Sequence, residues 1–268
     1  MSDGPDLAAS FDEDGDAPVL VLGNSLGTTA DVWAAQVPVL RDHFRLLQYE
    51  LPGHGASPAW PGAYTVDDLG AGVLRLLDAR GIDRAAYCGI SVGGMIGMWL
   101  AARAPERIWA LGLVCTSAYL PPADGWRQRA SLVRTGGMTA VTPLVIGRWF
   151  TPEFAASAPD VVRAFSDALE QVGPVGYAGC CEAIAAMDLR GSLPAITAPA
   201  LVIAGAADPV TPPEHGGVIT AGISGARMEV VAGAAHLATV SSPDVVTPAI
   251  TDHLRATAAG SGIPLAGR

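Results

Sequence analysis

Six short apolar runs punctuate the chain, at residues 18–22, 45–49, 85–88, 111–115, 200–204 and 228–231. Gly, Pro or polar residues bound each of them. Runs of this kind read as strands buried on both faces of a parallel sheet. Between them lie segments with apolar residues at helical spacing: 66–79, which stops before Gly81, 92–104, which stops before Pro105, and 242–258. Strand–helix alternation argues for the α/β class, a mostly parallel, doubly wound sheet with helices on both faces.

The alternation breaks between Pro121 and Leu193. That stretch carries helix-like segments at 126–134, 137–149, 159–171 and 176–187 and no convincing strand. The expected organisation is a sheet core of residues 1–120 and 193–268 with a helical cap, 121–192, inserted into it. At 268 residues the chain is long enough to bury a large core. The residues from Ala259 onward are rich in Gly and Ala and read as a frayed end.

Charge narrows the function classes. The net charge is −10, and all sixteen basic residues are Arg. An acidic chain repels phosphate backbones, so no nucleic-acid partner is expected. The absence of Lys excludes Schiff-base chemistry and a lysine-bearing phosphate loop. No apolar run reaches the roughly 18 residues of a membrane span. The acidic stretch from Met1 to Asp16 does not read as an export leader, so a cytoplasmic protein is expected. Cys88, Cys115, Cys180 and Cys181 then read as reduced, buried thiols, in a pattern that fits neither a redox pair nor a zinc site.

Gly89-Ile90-Ser91-Val92-Gly93 matches G-x-S-x-G, directly after an expected strand and directly before an expected helix. This is the context of the nucleophile elbow of an α/β-hydrolase fold. The turn is too tight for side chains at 89 and 93, and it leaves the Ser91 hydroxyl exposed above the sheet. A serine hydroxyl needs a base. His236 follows the last strand and precedes the last helix, where this fold carries its base. The other histidines fit less well: His54 reads as loop packing near the site, and His43, His215 and His253 as solvated. The orienting acid must fall between Ser91 and His236 in the chain. Asp208, just past the run 200–204, is placed at a strand's C-terminal edge, with Asp188, in the cap, and Glu214, in a solvated loop, as weaker alternatives. The oxyanion hole is assigned to the backbone N–H groups of Val92 and of Leu26, the latter in the loop Gly23-Asn24-Ser25-Leu26-Gly27.

Further segments, including Asn24-Ser25-Leu26-Gly27-Thr28-Thr29, Gly53-His54-Gly55-Ala56-Ser57, Arg148-Trp149-Phe150-Thr151-Pro152, Gly176-Tyr177-Ala178-Gly179-Cys180-Cys181 and Gly233-Ala234-Ala235-His236-Leu237, resemble the 3-oxoadipate enol-lactonase family. The resemblance extends from about Val19 to Leu254. It departs where family members usually carry Arg at the position of Pro52 and commonly Met at that of Val92. The resemblance implies hydrolysis of an enol-lactone to 3-oxoadipate in the β-ketoadipate pathway of aromatic degradation, with neither metal nor cofactor. The substrate it implies is a small molecule carrying a carboxylate. Arg148 beside Trp149 is the candidate clamp for it, and Arg134 the runner-up. Competing readings are a carboxylesterase or a lactonase of another pathway, a cofactor-free haloperoxidase or perhydrolase, and a non-catalytic ligand-binding module. The oligomeric state is not legible.

Overall fold

The computed structural model describes residues 4–265. Residues 1–3 of the acidic stretch and 266–268 of the Gly- and Ala-rich end lie outside the described residues. Among the described residues seven strands form the sheet: β1 (Ala9–Phe11), β2 (Val19–Gly23), β3 (Arg45–Tyr49), β4 (Ala85–Ile90), β5 (Ile108–Val114), β6 (Ala200–Gly205) and β7 (Arg227–Val231). Their spatial order is β1-β3-β2-β4-β5-β6-β7. Only β1 runs antiparallel to its neighbour; β2 to β7 are parallel. The six expected strands are β2 to β7. In β2, β4, β5 and β6 every residue is buried, as a sheet covered on both faces requires.

The described residues also form eleven α-helices: α1 (Val37–Arg41), α2 (Val66–Ala79), α3 (Val92–Arg103), α4 (Ala123–Gly136), α5 (Thr142–Trp149), α6 (Pro152–Ser157), α7 (Pro159–Glu170), α8 (Pro174–Ala186), α9 (Pro213–Gly222), α10 (Ala238–Ser241) and α11 (Pro243–Gly260). α2 opens on a capping box in which Thr65 and Asp68 exchange side-chain-to-backbone bonds. It buries the stripe Val66, Leu69, Val73, Leu76 and Leu77. α3 is apolar on all sides and lies buried against the middle of the sheet. Helices α4 to α8 fill the interval between β5 and β6, where the described residues contain no strand.

Three expectations are corrected. The segment read as a loop around Glu214 is α9; its Gly216, Gly217 and Gly222 hide the helical pattern. His253 is buried, because α11 packs on β5 and turns the imidazole inward. Its Nε2 lies 3.2 Å from the Leu111 carbonyl. His215 is half-sheltered, with Nδ1 2.8 Å from Ser117 Oγ. All four cysteines are buried and free. Among the described residues no helix is long and apolar enough to cross a membrane.

The chain leaves β2 for β3 on one side and returns to β4 on the other. That reversal opens a crevice at the C-terminal ends of β2 and β4, the place where open α/β sheets bind ligands. Gly23 and Gly89 are paired across these two strands. The loops that follow them therefore leave the sheet at the same level.

Candidate active site

Ser91 sits between β4 and α3 with φ 57° and ψ −120°, a left-handed conformation for a residue with a side chain. Such backbone costs about 1–3 kcal/mol and persists only where its surroundings fix it. Here the Ser91 N–H donates to the Val114 carbonyl at 2.9 Å, and Thr116 Oγ1 donates to the Ser91 carbonyl at 2.6 Å. A Cβ at position 89 would lie 2.3 Å from the Gly93 carbonyl carbon. One at position 93 would lie 2.5 Å from the Gly23 carbonyl. Both glycines are thus demanded by close backbone approach. The Gly93 N–H donates to the Asn24 carbonyl at 3.0 Å, tying the elbow to the loop after β2.

Three side chains from distant parts of the chain meet at this point. His236 Nε2 is 2.9 Å from Ser91 Oγ, and His236 Nδ1 is 2.8 Å from Asp208 Oδ2. Exposures are 6% for Ser91, 3% for Asp208 and 2% for His236. The loops carrying the acid and the imidazole are laced together: the Ala206 N–H donates to Val231 and the Ala207 N–H to Ala234, both at 2.9 Å. An ionised carboxylate only accepts, so Nδ1 of a neutral His236 carries the proton and Nε2 accepts from the serine. Asp208 accepts three further bonds, from the N–H groups of Val210 (2.7 Å) and Thr211 (3.0 Å) and from Thr211 Oγ1 (2.7 Å). Burial alone would raise the Asp208 carboxyl. Pairing with His236 and the two bonds from Thr211 outweigh burial and bring it down to about 2. Asp188 forks with Arg190 at the surface, and Glu214 lies in the first turn of α9; neither bonds His236.

The loop after β2 is tightly held. Thr28 N–H and Oγ1 both donate to the Ser25 carbonyl, at 3.1 and 3.0 Å, and the Ser25 N–H donates to Thr28 Oγ1 at 3.1 Å. The Gly27 N–H donates to His54 Nε2 at 2.9 Å. Among the described residues, the N–H groups of Leu26 and Val92 have no protein acceptor. Leu26 lines the same small cavity as Ser91 and His236. His54, expected as loop packing, is fully buried, and burial pushes its pKa down to about 4 against the opposing pull of the Pro52 carbonyl.

These two groups give stability a pH dependence of one sign. Between pH 6.5, the ordinary value for His, and about 4, the unfolded chain binds a proton at His54 that the folded chain refuses. Stability therefore falls through that window as pH drops. It falls again from pH 3.8 toward about 2, where Asp208 gives up the advantage of its bonds. Denaturant titrations at pH 7, 5 and 3 check this, and equal stability at pH 7 and 5 contradicts it.

The cavity at Ser91 measures about 20 Å³, room for one water molecule. Trp126, Arg129, Arg148 and Val210 form a wall that it shares with a cavity of about 500 Å³ between α4 and α5. Arg148 and Trp149 thus both border the space around the serine. Arg134 does not: its guanidinium forks onto Glu182 at 2.5 and 3.0 Å and faces α8. The second arginine at the wall is Arg129, which sequence reasoning missed. It stacks on Trp126 at 4.5 Å. Burial, and then the Arg129 guanidinium, lower the pKa of Arg148. Neither Arg129 nor Arg148 has a carboxylate partner among the described residues. Sequence offered one signal for Arg129, its position three residues after Trp126 on the same helical face.

A family model described as the alpha/beta hydrolase fold matches residues 18–243. The chain belongs to the α/β-hydrolase family. Within that family it is 40% identical to 3-oxoadipate enol-lactonase 2 of Acinetobacter baylyi over 88% of each chain. It is 33% identical to 3-oxoadipate enol-lactonase 1 of the same organism over 90% of each. Among solved structures it resembles the enol-lactonase from Burkholderia xenovorans LB400, with a TM-score of 0.91 and 40% identity. That match covers 93% of this chain and 96% of the other. The resemblance read from the motifs therefore extends along nearly the whole α/β hydrolase.

Proposed function

We propose that this α/β hydrolase is a serine enzyme that opens 3-oxoadipate enol-lactone to 3-oxoadipate, in the β-ketoadipate route of aromatic degradation. The observation that carries the reading is the unbroken chain of bonds Asp208–His236–Ser91 at the crevice of a hydrolase similar to enol-lactonases. In this reading Ser91 is the nucleophile. His236 Nε2 takes its proton as Oγ attacks the lactone carbonyl, and Asp208 holds the imidazolium that forms. The N–H groups of Leu26 and Val92 receive the oxyanion, each worth about 2.7–4 kcal/mol in the transition state. Collapse breaks the ring C–O bond and leaves an acyl-enzyme. The departing oxygen is an enolate, a better leaving group than an alkoxide; it takes the proton back from the His236 imidazolium, and the resulting enol tautomerises to the ketone. His236, neutral again, deprotonates water as it attacks the acyl carbon, and returns that proton to Ser91 Oγ as the ester bond breaks and the acid leaves.

Residues 121–192 act as the cap that shapes the pocket, over a core of 1–120 and 193–268. Arg148 and Arg129 meet the substrate carboxylate from the wall they share. Two guanidiniums without a carboxylate partner, near enough that Arg129 lowers the pKa of Arg148, repel one another until an anion arrives. Trp149 packs in the pocket wall.

Comparing turnover of the enol-lactone with that of a neutral p-nitrophenyl ester tests the proposal; a strong preference for the short neutral ester defeats it. Arg148→Ala and Arg129→Ala each raise KM for the carboxylate-bearing lactone by roughly tenfold to a hundredfold, the worth of one charge-assisted hydrogen bond. Turnover of the neutral ester stays within about threefold. Equal losses on both substrates argue against the clamp.

A further inference from the structure

His54 contributes nothing to the relay of Ser91, His236 and Asp208, yet it is a fully buried titratable group beside the crevice. Its two nitrogens have opposite duties. Nδ1 lies 3.0 Å from the Pro52 carbonyl, which can only accept, so Nδ1 carries the proton. Nε2 lies 2.9 Å from the Gly27 nitrogen, whose N–H can only donate, so Nε2 accepts. A doubly protonated imidazole cannot hold Gly27.

The consequence falls on Leu26. A peptide unit is planar, with N–H and C=O pointing in opposite directions. The plane joining Ser25 to Leu26 contains the Leu26 N–H, and Thr28 pins its carbonyl with two bonds. The plane joining Leu26 to Gly27 is pinned by His54 through the Gly27 N–H. Leu26 is thereby clamped between two fixed planes, and its own N–H is left free of protein acceptors toward the crevice. Gly27 has φ +87°, and a Cβ there would lie 2.6 Å from Leu169 and 3.2 Å from Trp149, so no side chain steadies the loop at that position. The imidazole supplies what a side chain cannot.

His54 is itself anchored to the helices that cover the crevice. Its ring stacks on Tyr177 of α8, with centroids 6.5 Å apart and planes 21° apart. Next to it, the Gly173 N–H donates to the Gly53 carbonyl at 2.8 Å. On the far side of the loop, the Glu50 carboxylate accepts from Asn24 Nδ2 at 3.1 Å and from the Ala30 N–H at 3.0 Å, bracketing the same segment.

We infer that His54 is a positioning residue for the oxyanion hole: a neutral imidazole, protonated on Nδ1, that withdraws the Gly27 N–H and aims the Leu26 N–H at the developing oxyanion. The inference rests on the proposed role of Leu26. Fixing a donor before the reaction is what makes such a hole effective, and a displacement near 1 Å costs about a hundredfold in rate.

The test uses the full-length protein and phenylboronic acid, which forms a tetrahedral, oxyanion-bearing adduct with an activated serine. His54→Leu is expected to lower kcat by about a hundredfold, leave KM within about threefold, and weaken boronate binding by the same factor as kcat. His54→Gln, which keeps an acceptor, recovers a large part of both. A folded His54→Leu protein that binds boronate like the wild type overturns the inference, as does a kcat loss with unchanged boronate affinity. Should that variant not fold, long-range ¹H–¹⁵N spectra of the wild type decide: His54 must show a proton on Nδ1 and a bare Nε2, and a proton on Nε2 refutes the assignment. A wild type that fails to capture boronate sinks the oxyanion-hole reading, and this inference with it. Capture by the wild type with no His54 dependence sinks the inference alone.

Discussion

Ser91→Ala is expected to lower kcat by roughly a millionfold, as deletions within a nucleophile–base unit do, because its members act together. The substitution removes a single oxygen, whose bond is to His236 at 2.9 Å. Everything that holds the elbow is backbone or belongs to other residues: the Ser91 N–H to Val114, Thr116 to the Ser91 carbonyl, and the clearances at Gly89 and Gly93. Alanine pays the same cost at φ 57° as serine does, so the fold should survive. The checks are steady-state kcat on the lactone and the thermal midpoint of the same preparation. Turnover at the wild-type rate removes Ser91 from the mechanism.

Asp208→Asn should cost about ten thousandfold in kcat with little change in KM. The amide is nearly isosteric with the carboxylate, and its single oxygen can still accept from Val210 and Thr211, which now donate to Oδ1 at 2.7 and 3.0 Å. Its NH₂ then faces His236 Nδ1. A donor there forces Nδ1 to accept and moves the proton to Nε2, the nitrogen that takes the serine proton in the proposed mechanism. The loss is therefore one of tautomer rather than of geometry. Imidazole ¹⁵N shifts report it directly, and a variant that retains a proton on Nδ1 and keeps near-normal kcat rules the explanation out.

Much of this was legible in the chain. Strands β2 to β7 announce themselves because burial on both faces writes a continuous apolar run. α2 could be read to the residue, since Thr65 and Asp68 cap it and Gly81 follows it. β1 could not: Ala9-Ser10-Phe11 is three half-exposed residues at the sheet edge, too short to carry a period. α6 escaped notice because Thr151 caps a helix of only six residues. Asp208 and His236 were legible through their places after β6 and β7, since each lies at a strand's C-terminal end. The wall arginines were only half legible. Arg134 and Arg129 share α4, but five residues turn a helix by about 140° beyond a full circle. One therefore meets Glu182 of α8 while the other faces the serine's cavity. That choice depends on how α4 docks, which no local pattern records.

The parts that hold Ser91, Asp208 and His236 come from strand ends, whereas the wall bearing Trp126, Arg129 and Arg148 comes from α4 and α5. On the proposed function, diet and machinery are thus carried by separate stretches of chain. If so, exchanging the cavity-lining residues of α4 and α5 between relatives should redraw which substrates are accepted without retuning the relay. Tyr177 of α8 and Trp149 at the end of α5 are poor places for such grafting, because they brace Gly27 and His54 beneath them.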